Sequence, residues 1–287
     1  MQVIKAMRPV HVLKNLIIFV PLFSLGNFAS SDLFIFINIF LGFSIVVSST
    51  YILNDIIDIE SDKLHPTKKF RPVASEVVPR YKWKIISIMF FIIGNTWLFL
   101  INPTALIFSV IYCLITISYS IKLKYLKFLD LISISLLFVI RILIGSAPLS
   151  MPPSMYIIIF VFFTSIGIIA GKKFSILNNE DIKNSKIQKF LKNSYSHKEL
   201  LVTIRIGFFI SLTTYLTWIS FVKSDSISNA KFYSLILSFI CLLFFKYYFF
   251  VNTKKNITED IFEFIESKKL LFIITFLFLA FSLYGLL

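Results

Sequence analysis

Apolar runs of 16 to 22 residues recur along the whole chain, separated by short clusters of charge, and no other feature constrains the fold as strongly. A helix needs about 20 apolar residues to cross the hydrocarbon core of a bilayer, with roughly 17 to 25 tolerated. Reading the runs between charges predicts nine spans, at approximately 12–29, 33–53, 84–101, 104–119, 129–149, 155–171, 201–222, 232–250 and 270–286. Inside lipid every backbone N–H and C=O must be satisfied within the protein, so spans of this length are helical. The composition closes off the alternatives. Over 287 residues, 57% are hydrophobic and only 15% charged, too few charges to cover the surface of a soluble fold or to keep a chain disordered. The expected fold is an all-α polytopic membrane bundle of about nine transmembrane helices, forming one domain over 1–287. Asn102-Pro103 reads as a tight reversal between the third and fourth spans. The first run lacks a small-residue cleavage site and leads directly into the second, so it reads as a span and not as a cleaved signal.

The net charge of +14 suits either a nucleic-acid binder or a membrane protein with basic inner loops. Position decides between them. With the N-terminus inside, 26 of the 29 Lys and Arg residues fall on the inner side and 2 outside, and Arg141 lies within the fifth span. That bias is a topology signal and excludes nucleic acid as the partner. It also predicts an integral protein of the inner or plasma membrane, with its site on the cytoplasmic side. Cys113 and Cys241 both lie in apolar runs, which excludes a disulfide framework and a Cys-based zinc site.

The inner loops concentrate carboxylates as well as cations. The second span ends in Asn54-Asp55-Ile-Ile-Asp58-Ile-Glu60-Ser-Asp62, followed by His65-Pro66-Thr67-Lys68-Lys69-Phe-Arg71-Pro72. If the helix continues at about 100° per residue, Asp55, Asp58 and Asp62 share one narrow face and Glu60 points away. Like charges at this spacing repel, and the membrane edge raises the cost. A bound cation removes it, and Mg²⁺ characteristically takes one or two carboxylates together with phosphate oxygens. The alternative is a solvated polar cap, with the lysines serving only as membrane anchors. Asn54, Asp55, Asp58 and Asp62 are therefore candidate metal ligands, and Lys68 and Arg71 candidate contacts to a diphosphate.

Asn54-Asp55-x-x-Asp58-x-x-x-Asp62 with Arg71-Pro72 resembles the first motif of the UbiA-type intramembrane prenyltransferases. The segment His65 to Lys68, and the opening Arg8-Pro9-x-x-x-x-Lys14-Asn15, resemble the decaprenyl-phosphate phosphoribosyltransferase branch more narrowly. The resemblance covers essentially the whole chain. It implies Mg²⁺ as cofactor, a lipid-linked substrate (a polyprenyl phosphate or a prenyl diphosphate) and a diphosphate donor as partners. It also makes Lys14 and Asn15 candidates for substrate binding.

A second constellation begins at Tyr119-Ser-Ile-Lys122-Leu-Lys124 and runs through Lys127 to Asp130, with Arg141 further along the fifth span. Asp130 and Arg141 share a helical face about 16 Å apart. An intramembrane Arg often marks a functional cavity, the alternative being a structural pairing with another buried polar group. Tyr119, Lys122, Lys124 and Arg141 are candidate phosphate-binding residues, and Asp130 joins Asp55, Asp58 and Asp62 as a catalytic candidate. Gly171-Lys172-Lys173 and an apolar stripe at Ile257, Ile261, Phe264 and Ile265 are weaker signals, for phosphate contact or anchoring and for an interfacial helix.

Three functions remain open. The first is Mg²⁺-dependent transfer of 5-phosphoribose from phosphoribosyl pyrophosphate to a polyprenyl phosphate. The second is transfer of a prenyl group from its diphosphate to an aromatic or other small acceptor. The third is a transporter, against which stands the lack of matched Gly/Pro breaks in the spans.

Overall fold

A computed structural model of the chain describes residues 2–23, 28–63, 68–149, 152–178 and 186–221. The expected spans at 232–250 and 270–286, the stripe at 257–265 and the His65-Pro66-Thr67 segment lie outside the described residues. Among those described, all regular structure is helical. In chain order the helices are α1 (Gln2–Ala6), α2 (Pro9–Val12), α3 (Val20–Phe23), α4 (Ser30–Ile57), α5 (Ile59–Lys63), α6 (Arg80–Ile101), α7 (Pro103–Ile121), α8 (Leu129–Ser146), α9 (Met155–Asn178), α10 (Lys186–Ser194) and α11 (His197–Phe221). Six of them, α4, α6, α7, α8, α9 and α11, are long and apolar enough to cross a membrane. They coincide with the second to seventh expected spans. Several extend a turn further, because the hydropathy of a run ends before its helix does.

The first expected span takes a different form. Over Pro9–Phe23 the chain makes a short apolar helix whose middle, Leu13–Phe19, is a seven-residue 3-10 stretch. Runs of 3-10 helix beyond three or four residues are uncommon. This one is held by tertiary contacts. Asn15, within it, is fully buried, and Gly145 of α8 approaches so closely that an added Cβ would lie 2.1 Å from the Ile18 carbonyl oxygen.

Local chemistry sets the ends. The Asn102 N–H closes α6 on the Leu98 carbonyl at 2.8 Å, while its side chain accepts from the N–H groups of Thr104 and Ala105 and so caps α7. Pro103 occupies the first turn, where its missing N–H leaves no bond unmade. Ser196 and Glu199 form a reciprocal capping box at the start of α11.

The described helices fall into two compact units, one over Met1–Leu22 and Phe28–Pro153, the other including the helices from Ser154 onward. In the first, α4 is the hub and packs on α6, α7 and the 3-10 stretch, while α7 and the 3-10 stretch both pack on α8. Ile18, Leu22, Phe43, Val46, Leu98 and Ile144 are among the core residues that seal these contacts. A smaller cluster of Ala6, Ile52, Ile59, Val73 and Trp83 lies where α4, α5 and the loop before α6 meet. The outer face of α6 exposes Ile85, Ile88, Met89, Ile92 and Leu100, a surface suited to lipid. In the second unit α9 packs along α11, with Gly207 close against Phe163.

Gly145→Ala therefore forces α8 off the N-terminal segment and is expected to destabilise the protein by about 1–3 kcal/mol. Gly42→Ala, whose added Cβ meets only the side chains of Leu98 and Trp97 at 3.3 Å or more, is expected to be milder. Thermal unfolding of both variants in detergent measures the difference.

Candidate functional site

The end of α4 and its continuation carry the first constellation. The helix does not run unbroken through Asp62 as the sequence suggests. Asp58 leaves helical geometry (φ −91°, ψ 6°), and α5 begins anew at Ile59. The three carboxylates stay close to one another, and each meets a cation. Asp55, 1% exposed, accepts through Oδ1 from the guanidiniums of both Arg8 and Arg71, the latter at 3.2 Å. The same Arg71 Nη1 donates to Asp62 Oδ2 at 2.7 Å. Asp58 Oδ1 accepts from Lys124 Nζ at 2.5 Å, which joins the second constellation to the first. Repulsion among three carboxylates in a poorly solvated place is relieved by these pairings. Glu60 points away, as the helical spacing predicts, and pairs with Arg80 in an exposed network with Glu76 and Lys63. The Lys63 and Arg80 contacts hold the Glu76 carboxyl below the usual Glu range.

The same carboxylates are the candidate metal ligands. Among the described residues no three His, Cys, Asp or Glu side chains are grouped closely enough to hold a metal ion by themselves. Mg²⁺ needs only one or two carboxylates when a phosphate supplies further oxygens. Asp55 Oδ2 is buried with no hydrogen-bond partner, an unmet acceptor suited to a cation. Asn54 lies one residue earlier, its Oδ1 accepting from Ser120 of α7 at 2.7 Å.

The structure brings Tyr119 within electrostatic reach of both Asp58 and Asp130. Asp130 is fully buried at the first turn of α8, with Oδ1 accepting the Leu131 N–H at 2.7 Å, where a helix N-terminus favours negative charge. Lys68 opens a single 3-10 turn directly before Arg71, and Lys122 is exposed at the end of α7. Lys14 and Asn15 sit on the 3-10 stretch.

Arg141 is built into the core. It is 3% exposed, and it donates through Nε to Asn15 Oδ1 at 3.0 Å, through Nη1 to the Leu137 carbonyl at 2.7 Å and through Nη2 to the Tyr112 hydroxyl at 2.9 Å. Its guanidinium lies 5.0 Å from the ring centres of Tyr112 and Phe138. Asn15 Nδ2 in turn donates to Ser44 at 3.1 Å. The structural pairing offered by the sequence as the alternative is thus present, and no carboxylate among the described residues pairs with Arg141.

Arg8 is the contributor that sequence reasoning missed as a site residue. Its conjunction with Pro9 was visible, but its partner lies 47 residues away.

Asn15→Ala leaves a buried guanidinium N–H without its acceptor and is expected to lower stability by about 1–3 kcal/mol. The exposed Lys122→Ala is expected to stay within about 0.5 kcal/mol of wild type. Chemical unfolding in micelles, read by tryptophan fluorescence, distinguishes them.

Comparison with known proteins bears on the family and the fold. The model of the UbiA prenyltransferase family matches residues 15–270. The decaprenyl-phosphate phosphoribosyltransferase of Mycobacterium tuberculosis is 28% identical over 196 residues, 67% of this chain and 65% of the relative. The protein of the same name from Mycolicibacterium smegmatis is 29% identical over 195 residues, 66% of this chain and 61% of the relative. The chain thus spans less than two thirds of the length of these relatives. Among solved structures, a UbiA homologue from Archaeoglobus fulgidus bound to GPP and Mg²⁺ shares the fold, with a TM-score of 0.75 at 15% identity over 99% of this chain and 98% of that one.

Proposed function

The chain belongs to the UbiA prenyltransferase family, and from that premise we propose that it is a membrane phosphoribosyltransferase, moving 5-phosphoribose from phosphoribosyl pyrophosphate to a polyprenyl phosphate. The observation that carries this reading is the Lys124–Asp58 pair. It joins a carboxylate cluster suited to a metal-bound diphosphate to a lysine-rich segment suited to a second phosphate. The mycobacterial relatives of that name support the same reading. A prenyltransferase using a prenyl diphosphate and an aromatic or other small acceptor is the second reading. It is favoured by the fold shared with the homologue bound to GPP and Mg²⁺, and it needs no second phosphate site.

Asp55, through its bare Oδ2, with Asn54, Asp58 and Asp62 beside it, would hold Mg²⁺. A metal ion held by these residues together with the donor's diphosphate would supply positive charge against the charge that grows on the leaving group. Arg71 and Lys68 bind the diphosphate. Lys124, Tyr119 and Lys122 take the donor's 5-phosphate or the acceptor's phosphate. Lys14 and Asn15 lie on the 3-10 stretch that follows Arg8, and Arg141 orients Asn15 through Nε. Asp130 fixes the start of α8 next to Tyr119. In the transfer an acceptor phosphate oxygen forms the new bond to C1 of the ribose, and the diphosphate leaves with the electron pair of the C1–O bond. No proton moves, so no general base is required. The basic loops favour a site on the cytoplasmic side.

Incubating purified protein and Mg²⁺ with polyprenyl phosphate and phosphoribosyl pyrophosphate, in parallel with a prenyl diphosphate and an aromatic acceptor, tests both readings. Mass analysis of the lipid is expected to show a phosphoribosyl adduct. Prenylation of the aromatic acceptor with no phosphoribosyl product would replace the first reading by the second. Asp55→Asn and Asp58→Asn are each expected to abolish turnover, and a chelator to do so reversibly.

A further inference from the structure

Asp55, Asp58 and Asp62 each already carry a cation supplied by the chain itself. Asp55 is saturated on Oδ1 by Arg8 and Arg71 and bare on its buried Oδ2. Arg71 reaches on to Asp62, and Lys124 sits on Asp58. Arg8 stands out among these cations. Its backbone is left-handed (φ 53°, ψ 64°), a conformation that residues with a side chain rarely adopt and that persists where surrounding contacts impose it. Those contacts are the Asp55 carboxylate and the Tyr51 ring, whose centre lies 5.2 Å from the guanidinium carbon. The same segment is fastened further along by Asn15, held between Arg141 and Ser44.

We propose that Arg8 is a further substrate-binding residue of this site, and that with Arg71 and Lys124 it bars the carboxylates to a divalent cation unless a diphosphate arrives with it. The inference rests on the reading above that the site takes a Mg²⁺-bound diphosphate. A dication arriving alone at the bare Oδ2 meets a carboxylate whose field is already cancelled and lies beside two guanidiniums that repel it, with no anion to draw them away. A diphosphate changes both conditions. Its negative charge compensates the added metal, and its oxygens accept the displaced guanidinium in the bidentate geometry that Arg favours. Arg8, with a side chain 17% exposed and attached at the rim, moves from Asp55 to the phosphate oxygens.

The test uses the full-length protein in micelles, Mn²⁺ followed by electron paramagnetic resonance, and inorganic pyrophosphate, each measured against the same mixture without protein. Wild type is expected to take up Mn²⁺ at least about tenfold more tightly with pyrophosphate than without it. R8Q is expected to bind Mn²⁺ alone about tenfold more tightly than wild type and to lose most of the pyrophosphate dependence. R8K keeps the charge and is expected to keep the bar to metal alone. Wild type binding Mn²⁺ equally well with and without pyrophosphate overturns the proposal, and this holds even if R8Q fails to fold. So does R8Q matching wild type, or R8K matching R8Q in its gain. If wild type takes up no Mn²⁺ even with pyrophosphate, the Mg²⁺–diphosphate reading itself fails and takes the proposal with it.

Discussion

Asp55 is the residue on which the rest of the site depends. It lies two residues from the end of a span and is almost wholly buried, where an unpaired carboxylate would cost several kcal/mol. The chain meets that cost with two guanidiniums from opposite directions in the sequence, Arg8 from 47 residues before and Arg71 from 16 residues after. Those two contacts bring the N-terminal segment and the loop before α6 to the same point. Arg71 then ties in Asp62, and the Lys124–Asp58 pair draws in the connection between α7 and α8. The apolar cluster of Ala6, Ile52, Ile59, Val73 and Trp83 packs parts of these same segments together.

A second polar network fixes the N-terminal segment at membrane depth. Arg141, within a span, is stabilised by hydrogen bonds to Asn15, Tyr112 and its own helix and by two aromatic rings. The Gly145 contact with Ile18 brings the backbones together on the same side of α8. The 3-10 stretch between Arg8 and α3 is thereby held at both ends. The segment thus carries Asn15 into the core a short way along from Arg8 at the rim.

Much of this was legible in the sequence. The bilayer imposes one length and one polarity on each span, so apolar runs locate α4, α6, α7, α8, α9 and α11, most ends to within about a turn and the end of α9 to within about two. The carboxylate spacing picked out Asp55, Asp58 and Asp62, and an Arg inside a span marked Arg141 as buried and polar. A helical wheel carries only local geometry, however. It kept the helix unbroken through Asp58, because nothing within a turn of that residue shows that Lys124 will draw its carboxylate away. The Arg141–Asn15 bond joins residues 126 apart, and the Arg8–Asp55 pair 47 apart. Such partners are chosen by packing, which periodicity does not encode.

The two networks also differ in what their energetics allow. The Arg141 bonds are buried on every side and bind neutral groups that have nowhere else to go, so removing one partner leaves an unmet donor. The rim pairs are ionic, and for pairs of this kind the desolvation penalty offsets most of the Coulomb gain. Removing one member is costly unless a ligand supplies a new partner for the charge left behind. The rim is therefore suited to trading partners with a charged ligand, while the core network keeps the backbone in register during the trade. Arg8 and Asn15, seven residues apart on one segment, divide these two tasks between them.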